Sequence, residues 1–473
     1  YFLNRREQKN GPEGNESAVE EKPEPTKDSI PVKIEISEDG RYEKQTLVLY
    51  QSTEEYQNQE NLLTNNLEYG EPLRVPYKLN FAKDYVSAKI DNSFLSQSYQ
   101  RYSGPGSVYL NPSVSGFLRI SFSDVMEDYV LSGGIRIPTS RNSSEFYAAF
   151  DMRKQRLDKQ LFYYRRSYED NRGKELDKLI THEVQLNLNY PFSEVFSWRS
   201  TVLSRIDVAQ PLAIDKESLL RNTNYFYQGG LKTSLVFDNA RQWSENAWSG
   251  TKAKVFAEYL QNVESNATGM INLGFDLRHS IKLIKELVWV NRLAAGTSLG
   301  NSRLLYYMGG VDNWLLRPKV NFNNDIPVDP KGQFAYQTLA TPMRGFIQNQ
   351  RNGNSFAVFN SELRIPVFMM LSKTTVKNEP LRMFQFITFF DLGTAWTGPH
   401  PFSADNFFNI QTIIDKPVVI KIVDSREPIV AATGFGLRSK IFGYFVRGDL
   451  GWGIENGSFN KRPQLFLSLS HDI

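Results

Sequence analysis

Residues 183–190 read Glu183-Val184-Gln185-Leu186-Asn187-Leu188-Asn189-Tyr190, with an apolar side chain at every even position and a polar one at every odd position. Successive side chains of a strand point to opposite faces. Val184, Leu186, Leu188 and Tyr190 therefore share one face, and Glu183, Gln185, Asn187 and Asn189 the other. The alternation recurs at 271–278, where Ile271, Leu273, Phe275 and Leu277 oppose Asn272, Gly274, Asp276 and Arg278. It recurs at 442–452, with Phe442, Tyr444, Val446, Leu450 and Trp452 against Arg447 and Asp449, and at 463–473, with Leu465, Leu467, Leu469 and Ile473 against Gln464, Ser468, Ser470 and Asp472. The polar face carries charges that are costly to bury unpaired. A hollow cylinder, lipid outside and water inside, removes that cost. A large soluble sandwich or propeller is disfavoured, because no blade-length repeat recurs.

Working outward, sixteen such segments are expected, at 116–123, 128–138, 145–154, 160–167, 182–190, 196–206, 225–237, 251–260, 269–278, 287–297, 305–311, 355–366, 384–396, 430–439, 441–452 and 463–473. The fold class is all-β, a 16-stranded antiparallel transmembrane β-barrel over residues 79–473; an even strand number suits such a barrel. Gaps between strands are uneven. The longest runs from about 311 to 355 and another from about 397 to 429; loops of this length are usually functional or disordered. Residues 1–78 are different in texture. Their first forty hold ten acidic and six basic side chains among Pro12, Pro23, Pro25 and Pro31, too polar to offset ordering entropy by burial. They are expected to be a polar periplasmic linker, or the remnant of an upstream soluble domain with strands at 32–36 and 46–50.

Composition narrows the function. The 473 residues carry 55 Lys plus Arg against 52 Asp plus Glu, a net charge of +3, which gives no electrostatic reason for a nucleic-acid partner. Cysteine is absent and the four histidines, His182, His279, His400 and His471, are scattered. Thiolate chemistry is excluded and a zinc site disfavoured; no cofactor is expected. A mean hydropathy of −0.43 excludes a multi-span helical protein. Aromatic residues reach 13% of the chain, as aromatic girdles at bilayer interfaces would require. Gly296-Thr297-Ser298-Leu299-Gly300 spells a nucleophile-elbow pattern. That chemistry needs a strand-to-helix turn; no helix follows here, so the stretch reads as a turn between strands.

The long loop contains Met343-Arg344-Gly345-Phe346, after Tyr307-Met308-Gly309-Gly310, and a later strand reads Phe389-Phe390-Asp391-Leu392-Gly393. These pieces resemble the BamA/TamA-type outer-membrane assembly superfamily, the bacterial surface antigen family. MRGF is similar to the family's [V/I]RG[Y/F] loop tip apart from its first position, and Phe389, Asp391 and Gly393 match its FxDxG strand. Leu118 to Asp124 looks like the family's opening strand, Phe237-Asp238-Asn239 like its YDN turn, and Gly434 to Arg438 like a strand near its end. The chain departs from the family in lacking a recognisable POTRA repeat and in ending on Ile473 rather than an aromatic residue. The residues before the barrel would suit the end of a TolB-like propeller fused to such a barrel.

The resemblance implies that the sixth extracellular loop folds into the lumen. Strand parity places Asp391 opposite Phe384, Phe386, Phe390 and Leu392, and Glu362 opposite Phe359, Leu363 and Ile365, so both carboxylates face inward. An arginine on the infolded loop would meet them, and guanidinium–carboxylate pairing is directional enough to fix one pose. The expected loop lock is Arg344, Gly345 and Phe346 with Glu362, Asp391 and Gly393. The resemblance further implies a non-enzymatic protein that helps insert or translocate outer-membrane proteins through a lateral seam between 116–123 and 463–473. Its partners would be outer-membrane lipid and lipopolysaccharide, with client outer-membrane proteins or accessory subunits. The rivals are a barrel that anchors a periplasmic domain in a larger complex, and a passive porin.

Overall fold

The computed structural model describes residues 79–96, 98–102, 104, 114–137, 143–172, 175–212, 220–244, 247–264, 269–315, 326–372, 376–415, 418–423 and 426–469. The chain divides into units 1–78 and 79–473. The linker, its strand-like stretches at 32–36 and 46–50, and the chain end after Leu469 lie outside the described residues.

Alternating sequence becomes wall. Among the described residues sixteen long strands form it, with two short ones, Arg241–Ser244 and Ser458–Phe459, in the same sheet: β1 (Phe81–Asp91), β2 (Ser115–Asp124), β3 (Tyr129–Ile137), β4 (Ser144–Met152), β5 (Asp158–Arg172), β6 (Glu175–Pro191), β7 (Phe196–Pro211), β8 (Asn224–Asp238), β9 (Ala247–Asn262), β10 (Gly269–Lys282), β11 (Val288–Gly300), β12 (Ser355–Ile365), β13 (Gln385–Trp396), β14 (Ile429–Ile441), β15 (Tyr444–Glu455) and β16 (Gln464–Leu469). Each pairs antiparallel with the next. The connections at one end are mostly tight, such as 125–128, 192–195 and 442–443, while the other end carries 92–114, 301–354 and 397–428. Two short helices, Val367–Leu371 and Glu379–Arg382, lie in the connection from β12 to β13.

The two faces differ as the alternation requires. Val184, Leu186, Ile271, Leu273, Phe275 and Leu277 are all exposed, whereas Glu183, Asn272, Arg447 and Asp449 are buried. An apolar outside over a charged inside is the pattern of a wall standing in lipid. Ile90 at the end of β1 donates its amide to the Tyr444 hydroxyl at 3.0 Å, so the sheet curls until its two ends approach. No ladder joins β1 to β16 among the described residues.

Three expectations need correction. First, the opening wall strand is β1, not 116–123, which falls in the second strand; any seam therefore lies between Phe81–Asp91 and Gln464–Leu469. A bulge hid β1. The register skips Asp84 between Lys83 and Tyr85, and an extra residue reverses the facing of everything beyond it. Phe81 faces out before the bulge, and Val86 and Ile90 face out after it, so a period-two scan sees no consistent face. Second, 305–311 is not wall. Leu304, Leu305, Tyr306, Tyr307 and Met308 are buried together in an inner strand, Arg303–Met308, which pairs parallel with Phe334–Ala340. A strand covered on both faces reads as a continuous apolar run. The long strands still number sixteen because one omission and one false inclusion offset each other; the two short strands bring the sheet to eighteen.

Third, the interior is filled rather than wet throughout. An inner sheet runs in the order Arg351–Gly353, Arg303–Met308, Phe334–Ala340 and Gln100–Arg101. It packs on the inward face of the wall, for example Leu304, Tyr306 and Tyr336 with Leu203, Leu260 and Met270. Many inward charges pair with one another on the wall, as Arg136 does with Glu145, Arg205 with Asp207 and Arg447 with Asp449, and some pair with the infolded chain, as Glu362 and Asp391 do with Arg344.

The outward face gives a test. Leu277 is exposed in the middle of β10, where an exposed site facing water would tolerate substitution within about 0.5 kcal/mol. Leu277→Arg is expected to cost about 2–4 kcal/mol, the penalty of a cation on a lipid-facing barrel position. Urea unfolding in phospholipid vesicles measures it; an unchanged midpoint would mean the face is not in lipid.

Candidate functional site

Strand parity sets up the site before any loop arrives. Glu362 and Arg364 alternate inward along β12, Phe389, Asp391 and Gly393 along β13, and Arg447, Asp449, Gly451 and Gly453 along β15. The loop brings Arg344 against them. Its Nε donates to Asp391 Oδ2 at 2.7 Å and its Nη2 to Oδ1 at 2.6 Å, a two-pronged pair. Its Nη1 donates to Glu362 Oε1 at 2.6 Å, and its backbone amide to Asp391 Oδ2 at 3.1 Å. The guanidinium lies 3.7 Å from the centre of the Phe389 ring. Burial alone would lower the Arg344 pKa, but the charges of Asp391 and Glu362 outweigh it and hold the pKa above its ordinary value.

The cluster extends beyond the expected residues. Arg447 Nη2 donates to Glu362 Oε1 at 2.7 Å and its Nε to Asp449 Oδ2 at 2.7 Å. Arg364 donates twice to Glu362 Oε2, at 3.1 and 3.0 Å. Asn360 bridges, giving one hydrogen bond to Asp391 Oδ1 and one to the Pro342 carbonyl. Arg344, Arg364 and Arg447 thus balance Glu362, Asp391 and Asp449, with every side chain no more than 6% exposed.

The small residues explain how the loop reaches the wall. Gly345 has φ of +85°, and a Cβ there would stand 2.7 Å from the Gly453 amide nitrogen and the Trp452 carbonyl carbon. Glycine is the residue that accepts both conditions. Phe346 is buried and lies over Gly453, where a Cβ would come within 2.5 Å of its ring. A Cβ on Gly393 would meet Met308 Sδ at 2.9 Å, so its absence leaves room for the loop's methionines. All six sequence-selected residues, Arg344, Gly345, Phe346, Glu362, Asp391 and Gly393, are therefore at one place. Arg364, Arg447, Asp449, Gly451 and Gly453 join them without having been singled out; inward parity was the available signal for the charged members.

A second buried network escaped the sequence reading altogether. Arg205 makes a two-pronged pair with Asp207, both bonds 2.9 Å, and reaches Ser98 Oγ and the Tyr99 carbonyl at 2.8 Å each. Tyr336 donates to Asp207 at 2.7 Å, and Ser98 to Glu183 at 2.6 Å. Glu183 stands opposite Arg205 in the β6–β7 register. These bonds hold the connection after β1 and the inner strand Phe334–Ala340 to the far wall. Ser298 of the nucleophile-like pentapeptide is buried, and its Oγ accepts the Leu304 amide at 2.8 Å, so it anchors the loop's entry. It lies within β11 and leads into the inner strand, not into a hairpin between wall strands. Among the described residues no group of three His, Cys, Asp or Glu is placed to hold a metal.

Removing Arg344 strands Asp391 and Glu362. Loss of one partner from a buried pair costs about 3–5 kcal/mol. Arg344→Ala is expected to raise hydrogen exchange and protease cleavage over residues 341–350 while the barrel keeps its heat-modifiable mobility. Arg344→Lys should restore little, since an ammonium cannot reproduce the fork; full protection in either variant would refute the anchoring. Gly345→Ala should loosen the same residues through steric conflict alone, with the charges intact.

No family model and no curated protein matches the chain. Among solved structures it is similar to BamA from Haemophilus ducreyi lacking POTRA domains 1-3, with 11% identity and a TM-score of 0.48 over 90% of this chain and 79% of that one. It is similar to CdiB from Acinetobacter baumannii, with 13% identity and a TM-score of 0.43 over 84% and 61% of the two chains. It is also similar to CdiB from Escherichia coli, with 11% identity and a TM-score of 0.40 over 83% and 63%. The chain spans less than two thirds of the length of the two CdiB chains.

Proposed function

We propose that the chain is an outer-membrane barrel that assists insertion or translocation of other outer-membrane proteins through the junction of β1 and β16, with Arg344, Gly345, Phe346, Glu362, Asp391 and Gly393 locking its loop. The observation that carries this reading is the absence of a ladder between β1 and β16 among the described residues, although both strands otherwise sit in a continuous wall. A sheet edge that no neighbouring wall strand pairs with is a template for another strand. A short apolar height at the junction would thin the bilayer beside the edge. The lock holds the infolded loop in one pose against β12, β13 and β15. Lipid and lipopolysaccharide surround the wall, client barrel proteins meet the junction, and no covalent reaction is involved.

A second reading makes the chain a non-catalytic anchor or accessory subunit for a periplasmic domain. The filled interior favours it, since an insertase gains nothing from a plug that an anchor would need for rigidity. The same filling weighs against a passive porin.

Reconstitution separates the readings. The purified chain in phospholipid vesicles is expected to speed folding of a urea-denatured small outer-membrane barrel by about tenfold, equivalent to ~1.4 kcal/mol of barrier. Arg344→Ala should reduce that acceleration. No acceleration by the unmodified chain would leave the anchor reading.

A further inference from the structure

We propose that Trp314 and Leu315, on the infolded loop, act as an internal strand that covers the free edge of β16, and that an incoming strand must displace them. The proposal rests on the insertion reading for its second half only.

The free edge of β16 is not bare. Leu315 donates its amide to the Leu467 carbonyl at 2.7 Å, and Trp314 forms an antiparallel bridge with Ser468. Ser468 and Leu467 already pair on their other side with Arg447 and Gly448 of β15. The backbone groups of a strand point to its two edges in the plane of the sheet, so the loop occupies the edge facing away from β15. The cover is anchored by packing. Trp314 is 5% exposed, and its ring stands 4.6 Å from that of Phe466, which is fully buried. Val311 and Ile347 complete the cluster.

The cover and the lock belong to one piece of chain. Gly310 donates to the Met343 carbonyl at 3.1 Å and accepts from the Met343 amide at 2.9 Å, directly beside Arg344. It also donates to the Phe346 carbonyl at 3.0 Å. Trp314 follows Gly310 by one short turn. The charge cluster on β12, β13 and β15 therefore sets the position of the residues on β16. The occupant that would replace them is an extended strand of alternating pattern, because Leu465, Leu467 and Leu469 continue the apolar outer face along this edge.

Cysteine pairing tests this, since the chain has no cysteine of its own. Leu315 and Leu467 stand directly opposite in the register that pairs Trp314 with Ser468. Such partners have Cα atoms about 4.5–5.5 Å apart, within the ~4.4–6.8 Å that a disulfide spans. Leu315→Cys combined with Leu467→Cys is expected to oxidise nearly completely in vesicles and to leave Trp314 in place. The oxidised protein should insert a urea-denatured small barrel about tenfold more slowly than the same protein after reduction, with the unmodified chain indifferent to oxidant. Failure of the bond to form would overturn the cover, whatever the activity. A formed bond with undiminished insertion would overturn the displacement. Inactivity of the unmodified chain in the same vesicles would remove the insertion reading and the displacement with it, leaving the cover to stand on the bond.

Discussion

Six charged side chains meet where the infolded loop touches the wall: Arg344, Arg364 and Arg447 with Glu362, Asp391 and Asp449. Taking ions out of water is expensive, and their mutual attraction repays the cost only in good geometry. Here the geometry is two-pronged, the formal charges balance, and an aromatic face lies under the central guanidinium. Such a cluster adds little net stability compared with a well-packed apolar substitute. Its effect is on pose. Displacing the loop would leave buried carboxylates without their central cation, so one arrangement of the loop is strongly preferred over others.

That constraint spreads along the loop. The hydrogen bonds between Gly310, Met343 and Phe346 transfer the position of Arg344 to the preceding inner strand. Met308 of that strand, together with Met343 and Phe346 of the loop, then packs on the wall against Val358, Ala395, Val430 and Ala432. On the opposite wall, the Arg205–Asp207 pair fixes the connection after β1 and Tyr336. Two ionic clusters thus hold the inner sheet from both sides, which accounts for an interior that is crowded yet lined by charge.

The alternation at 183–190 made the wall legible because side-chain facing in a strand is a local property with a period of two. It failed where that period is interrupted. One extra residue at Asp84 reversed the outward face of β1, and the inner strand at 303–308, enclosed on both sides, has no polar face to alternate. Parity also marked Glu362 and Asp391 as inward-facing, and the loop motif supplied Arg344. Arg447, Asp449 and Arg205 were equally inward by the same count, but nothing in the linear chain says which inward charges stand at the same height.

By itself, then, the sequence determined a long antiparallel wall with an apolar outside, an interior able to carry charge, and two loops too long to be turns. Each follows from side-chain pattern and segment length, which need no knowledge of distant residues. The tertiary structure decided which strands begin and end the wall, that the interior is filled, which carboxylates share an arginine, and that Trp314 lies on the edge of β16. These depend on register summed over sixteen strands and on a loop meeting residues far away in the chain, a relation that no local periodicity contains.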